Sequence, residues 1–149
     1  MKKLPPIEKI YEALSAIADN RITIEDESAK VQSSDYTKEY TVKWKDNTYS
    51  SNDNASYWGG YAGYPVIGVF LLQGKLKLQN AELVNLLKGI NWKALNTKYK
   101  NKYDKAVAEI LGELEAEDMN ALKTEVDHIY EDIKNLDLET KRSSLRPPK

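Results

Sequence analysis

An aromatic and glycine-rich stretch at residues 57–65, here named the aromatic-glycine loop, is the first place in the chain that could bind a ligand. It holds four aromatic rings and three glycines within nine residues. Aromatic faces stack on bases and sugar rings, and glycine lets a ligand or a neighbouring backbone approach closely. The candidate binding side chains are Tyr57, Trp58, Tyr61 and Tyr64. The alternative is a buried joint, in which the same rings pack between a sheet and the helices.

The second candidate is a basic, aromatic segment, residues 57–105, which carries a net charge of +6. Aromatic and amide side chains lie between its lysines, and this mixture suits contacts with phosphates and base edges. The binding residues expected here are Trp92, Lys93, Lys98, Lys100 and Lys102. The composition predicts a non-enzymatic binding protein that contacts nucleic acid or another polyanion through this segment.

An acidic segment follows directly, because residues 106–140 carry a net charge of −9. Neighbouring segments of opposite charge can neutralise each other within one fold or pair between the subunits of a homo-oligomer. The second arrangement gives an alternative function, a small oligomerising structural or interaction protein with no nucleic-acid role. The carboxylates lie opposite the apolar stripes of the helices, which predicts solvated faces rather than a metal site.

Part of the basic segment also resembles a helix-turn-helix motif. In this interpretation residues 83–88 form the first helix, residues 89–91 the turn, and the recognition helix begins at Trp92. The pattern departs from the motif at Asn85, where a small residue is usual, and at Lys88, where an apolar residue is usual. The resemblance implies a helix that reads DNA bases.

Residue types exclude disulfides, thiol catalysis and cysteine zinc sites, and leave tyrosine and lysine as the candidate acids or bases. The chain has no cysteine and a single histidine, His128, so we expect no metal site and no cofactor. The glycines of the aromatic-glycine loop lack the lysine and hydroxyl residue of a phosphate-binding loop. One enzymatic alternative stays open, a pocket lined by Tyr57, Trp58 and Tyr61 with a buried carboxylate or lysine beside it.

The elements that position these residues follow from hydrophobic periodicity. Apolar residues at spacings of three and four predict a helix over residues 6–19, and alternation with period two predicts a three- to four-stranded antiparallel sheet over about 21–51. Helices are predicted over residues 66–136. The sequence therefore indicates an α+β fold in a single domain, residues 1–140, followed by a mobile basic tail, residues 141–149.

The most apolar element is the run from Val66 to Leu72, which lies between Pro65 and Gly74 and so favours a helix over a buried strand. Either element would be buried on all sides. The seven residues of this run are too few to span a bilayer, which takes about 20 residues. The N-terminal residues have no apolar stretch typical of a signal peptide. We expect no membrane partner and a cytoplasmic location.

Overall fold

The computed structural model describes residues 3–149 and has the α+β architecture that the sequence predicts. The α-helices are α1 (Glu8–Ala18), α2 (Asn54–Gly59), α3 (Tyr64–Leu72), α4 (Trp92–Lys98), α5 (Tyr103–Leu111) and α6 (Ala116–Lys134). A 3-10 helix, Ala81–Leu87, precedes α4. The strands are β1 (Ile22–Ile24), β2 (Ser28–Gln32), β3 (Glu39–Lys45), β4 (Thr48–Ser51) and β5 (Glu139–Thr140).

The strands form one sheet in the order β1-β2-β3-β4-β5. The first four are an antiparallel meander in which Val42 of β3 lies between Ala29 of β2 and Ser51 of β4. Strand β5 pairs in parallel with β4 and completes a five-stranded sheet. The sequence predicted three to four antiparallel strands and did not indicate β5. A two-residue polar strand that arrives from the far end of the chain leaves no period-two pattern to detect.

The core lies between the sheet and helices α1 and α3. Ile10, Ala13 and Leu14 of α1 are fully buried, and every residue from Pro65 to Leu71 of α3 is buried. The predicted helix over the apolar run is therefore confirmed. Among residues 3–149, no helix combines the length and apolar composition needed to cross a membrane.

Helix α1 also buries polar residues. Lys9, Glu12 and Ser15 are each at most 6% exposed. Helices α3, α5 and α6 and the 3-10 helix all contact α1, so little of its surface remains for water. The Ser15 hydroxyl donates to the carbonyl oxygen of Leu87 at 2.7 Å, which ties α1 to the 3-10 helix.

The predicted aromatic-glycine loop is mostly helical. Helix α2 extends to Gly59, and α3 begins at Tyr64, so only residues 60–63 connect the two helices. Gly60 ends α2 in the left-handed conformation with φ of +73°, which a residue with a Cβ rarely adopts. The carboxylate of Asp53 caps α2 by accepting a hydrogen bond from the Ser56 amide at 3.1 Å.

The C-terminal segment, residues 141–149, runs along the sheet. The Lys141 amide donates to the Tyr49 carbonyl oxygen at 2.9 Å, and the Asn52 side-chain amide donates to the Arg146 carbonyl oxygen at 3.1 Å. Near the end of the chain, the Lys38 ammonium donates to the Pro148 carbonyl oxygen at 3.3 Å. The mobility expected of this segment stays a prediction.

Substituting Gly63→Ala is expected to destabilise the fold by about 2–3 kcal/mol, within the range for overpacked sites. An added Cβ would lie 2.1 Å from Asp53 Oδ2, and that carboxylate is fixed by its capping role. Urea unfolding measures the loss. Gly112→Ala is the matched control, because Gly112 has φ of −65° and its nearest obstacle is 3.3 Å away. Equal effects of the two substitutions would contradict the packing explanation.

Candidate functional site

A polar cavity of about 220 Å³ lies between α1, the β2–β3 hairpin, the start of α2, and α4. Four cations and two carboxylates line it, so the lining carries a net positive charge. Four aromatic side chains also line it. The charged residues are Lys9, Glu12, Arg21, Lys38, Asp53 and Lys93, and the aromatic residues are Tyr40, Tyr64, Trp92 and Tyr103.

A buried ion pair on α1 forms one wall. Lys9 and Glu12 lie one helical turn apart, with 3.2 Å between Nζ and Oε2, and each side chain is 8% exposed. The ammonium of Lys9 lies 3.9 Å from the ring centroid of Tyr103, which is a cation–π distance. The side-chain amide of Asn96 donates to the other Glu12 oxygen at 3.2 Å. Helices α4 and α5 thus both contact this pair.

Burial by itself shifts the pKa values of Lys9 and Glu12 in opposite directions. Burial by itself lowers the pKa of Lys9, but the Glu12 carboxylate together with Tyr103 and Tyr61 outweighs it, so the pKa lies above its ordinary value. Burial raises the pKa of Glu12, and the attraction of Lys9 only partly offsets this rise. Desolvation is the largest single effect on both pKa values, and for Glu12 the neighbouring partners do not outweigh it. The Lys9 ammonium therefore stays charged at neutral pH.

Arg21 forms the opposite wall and is held by three contacts. Nε donates to Asp19 Oδ2 at 3.4 Å, and Nη1 donates to the Gln32 carbonyl oxygen at 2.8 Å. The guanidinium carbon lies 5.9 Å from the ring centroid of Tyr64. Burial raises the pKa of the Tyr64 hydroxyl, so that ring is neutral beside the arginine.

Two donors in the lining residues have no partner. Within residues 3–149, the buried side-chain polar atoms without a hydrogen bond are Arg21 Nη2 and Trp92 Nε1. A buried donor left unsatisfied costs about 1–3 kcal/mol and is rare in folded proteins. Both unsatisfied donors belong to residues of the same cavity. A bound hydrogen-bond acceptor that reaches these two donors would satisfy them.

The hairpin turn between β2 and β3 holds α4 across the cavity. Asp35 Oδ1 accepts hydrogen bonds from the Thr37 amide, the Thr37 hydroxyl and the Ser33 hydroxyl. Lys93 Nζ lies 3.4 Å from Asp35 Oδ2, and the Lys93 amide donates to the Ser34 hydroxyl at 3.2 Å. The hydrogen bonds from Thr37, opposed by some burial and aided by Ser33 and Lys93, hold the pKa of Asp35 well below its usual range.

Of the residues predicted from the sequence, Tyr64, Trp92 and Lys93 line the cavity. Lys98 instead pairs with Glu109, which also accepts a hydrogen bond from the Tyr99 hydroxyl at 2.7 Å. This pair joins the basic segment to the acidic one and neutralises charge within the fold.

The remaining predicted residues lie elsewhere. Tyr57 and Trp58 pack with Arg142, whose guanidinium carbon is 4.9 Å and 5.7 Å from their ring centroids. Tyr61 lies under Lys3, whose Nζ is 5.7 Å from the ring centroid. Two further lysines, Lys100 and Lys102, are exposed.

The helix-turn-helix interpretation does not match the geometry. Its expected first helix lies within the 3-10 helix, and Trp92, the first residue of the expected recognition helix, is 3% exposed. A side chain buried to that extent cannot reach base edges in a groove.

Among the cavity residues that were not predicted from the sequence are Lys9, Glu12 and Arg21. The only local signal was the spacing of Lys9 and Glu12 on a helix, which usually marks an exposed pair. Arg21 carries no signal of its own, because its role depends on the later segments that bury it.

Comparison with protein families shows that the chain belongs to the family described as uncharacterised conserved protein UCP014422, which matches residues 2–139. All residues that line the cavity fall within that range. No curated protein matches the chain, and no solved structure matches it.

Replacing Asp35→Asn is expected to remove a pH-dependent part of the stability. Because the folded pKa of Asp35 lies below the unfolded value of about 3.9, its contribution is present above that pH and is lost as the pH falls. The variant should unfold at lower urea than the parent at pH 7, and the difference should shrink at about pH 3. A difference that stays constant with pH would show that the carboxylate charge is not responsible.

Proposed function

We propose that this protein is a non-enzymatic binding protein whose cavity holds a small molecule with an oxyanion group, a carboxylate or a phosphate. The observation that carries the proposal is the pair of unsatisfied buried donors, Arg21 Nη2 and Trp92 Nε1, which belong to two residues that line one cavity. Oxyanions accept several hydrogen bonds, and a guanidinium matches their planar geometry.

The charges of the lining support an anionic ligand. Both carboxylates already have protein donors: Glu12 binds Lys9 and Asn96, and Asp53 accepts hydrogen bonds from the Ser51 hydroxyl and the Ser56 amide. Both carboxylates are therefore already engaged within the protein. Lys38 forms no ion pair among residues 3–149. Arg21 and Lys93 each pair with one carboxylate outside the lining, and both side chains have further N–H donors for an anion in a site partly shielded from water.

The contacts that Glu12 and Asp53 already make within the protein support binding rather than catalysis. A general acid or base must exchange a proton with a ligand within hydrogen-bond reach. The Glu12 and Asp53 carboxylates instead hold an ion pair and a helix cap. Tyr40, Tyr64 and Tyr103 supply ring faces against which the apolar part of a small ligand can pack.

The size of the cavity favours a small ligand over a polymer. Its volume of about 220 Å³ lies below the range of about 300–1,000 Å³ usual for drug-sized ligands. The nucleic acid predicted for residues 57–105 is a weaker candidate for this site, since Trp92 is buried and Lys98 pairs with Glu109 outside the cavity. Residues 57–105 thus supply part of the lining of the proposed anion site.

We expect phosphate or acetate to raise the melting temperature relative to chloride at equal ionic strength, because an anion bound to the folded state stabilises it. Lys93→Met should weaken that binding about tenfold, the loss expected for one charge-assisted hydrogen bond of about 1.5 kcal/mol. Lys98→Met is the matched control. It lies on the same helix, is similarly exposed and also loses one ion pair.

Trp92→Phe provides a second test, since it removes the indole donor and keeps a ring in the core. This variant should bind the anions more weakly, while Trp44→Phe, outside the cavity, should bind them like the parent. Isothermal titration calorimetry with phosphate and with acetate measures both. The proposal is overturned if neither anion binds, or if all four variants bind equally well.

A further inference from the structure

A second feature, here named the basic groove, lies on the outer face of the sheet and has a volume of about 440 Å³. Lys43 and Lys45 of β3 form one side, and Lys141 and Arg142 form the other. Between them, β4 contributes only the small residues Thr48 and Ser50, which pair with Lys45 and Lys43. With neighbouring strands about 4.8 Å apart, the two cationic sides are separated by about 10 Å.

The cations of the basic groove are free of acidic partners. Within the described residues 3–149, none of the four forms an ion pair, in contrast to Lys93 and Lys98. One carboxylate, Glu27, lines the groove, and the exposed Glu139 lies at its β5 side. The groove therefore keeps a net positive charge despite the overall charge of −1.

An exposed aromatic platform continues the basic groove. A shallow depression next to it shares Lys141 and Arg142 with the groove and includes Tyr57 and Trp58. Trp58 is 67% exposed, an unusual state for so large an apolar ring. Its ring is held by Tyr57, edge to face at 4.7 Å between centroids, and by the Arg142 guanidinium. The ring is therefore positioned and still open to a ligand.

From this arrangement we infer that the basic groove and Trp58 bind a single-stranded nucleic acid. The ammonium groups of Lys43, Lys45 and Lys141 contact the phosphates, and Trp58 stacks on an unpaired base. A cationic groove that ends in an open aromatic ring is the combination used by proteins that bind single strands with little sequence preference.

A single strand fits better than the two other polyanions that a cationic groove could attract. In a duplex the bases are already stacked on one another, so the exposed face of Trp58 would have no role. An acidic peptide would satisfy the lysines but offers no regular series of rings. The inference is independent of the cavity, because Lys93 and the other cavity residues are not part of this groove.

The test is fluorescence anisotropy of labelled oligo(dT) of about 12 nucleotides, within the usual size of such sites, titrated with protein at several salt concentrations. Trp58→Ala should weaken binding about tenfold. Lys43→Ala and Lys141→Ala should each lower the slope of log affinity against log salt by about 0.7, the value for one phosphate contact on a single strand.

Three variants serve as controls. Tyr36→Ala removes another exposed aromatic ring, 61% exposed on the β2–β3 turn, and Lys77→Ala removes an exposed lysine that lines neither the basic groove nor the cavity. Both should bind oligo(dT) like the parent. Lys93→Met should also bind normally, which separates this inference from the proposed anion site.

Several outcomes would overturn the inference. The first is an absence of oligo(dT) binding at low salt. The second is unchanged binding by Trp58→Ala, Lys43→Ala and Lys141→Ala. Equal affinity for a duplex of the same length would show that no unpaired base is read, and equal affinity for polyglutamate would show that the groove attracts any polyanion.

Discussion

The buried ion pair between Lys9 and Glu12 is the constraint on which the arrangement around α1 depends. Two charges taken out of water are costly unless other groups compensate them, and the loss of one partner typically costs about 3–5 kcal/mol. Here Asn96 of α4 and Tyr103 of α5 supply that compensation. One side chain from each of these helices thus contacts the pair, and the cavity beside them has a polar lining.

The lysines of this protein have two kinds of surroundings, and the difference distinguishes helix α4 beside the cavity from the basic groove. Lys93 and Lys98 have carboxylate partners, so much of the charge of the basic segment is compensated inside the fold. Lys43 and Lys45 lie on a sheet face and form no ion pairs among the described residues, so their charge is not compensated in this way. Net charge counted along the chain could not distinguish these cases, because a nearby opposite charge is set by the fold.

The main elements could be predicted because they depend on local patterns. Period-two alternation through Tyr40, Val42 and Trp44 indicated a strand with one inner face, and Val42 is fully buried there. Tyr64 and Lys93 were identified as binding residues from composition, and both line the cavity. Lys9 and Glu12 were missed, since the same helical spacing usually marks a solvated pair. Strand β5 was missed because its two residues acquire strand geometry only by pairing with β4.

The sequence by itself determined the α+β class, the burial of α3 and the concentration of aromatic and basic residues in the middle of the chain, because these follow from composition and from periods of two and 3.6 residues. Only the tertiary structure decided how those residues divide between two places. Tyr64, Trp92 and Lys93 face a cavity with Lys9 and Arg21, while Tyr57 and Trp58 meet Arg142 from the C-terminal segment. Each grouping joins residues far apart in the chain, and such contacts exist only once α1, the sheet and the helices have packed.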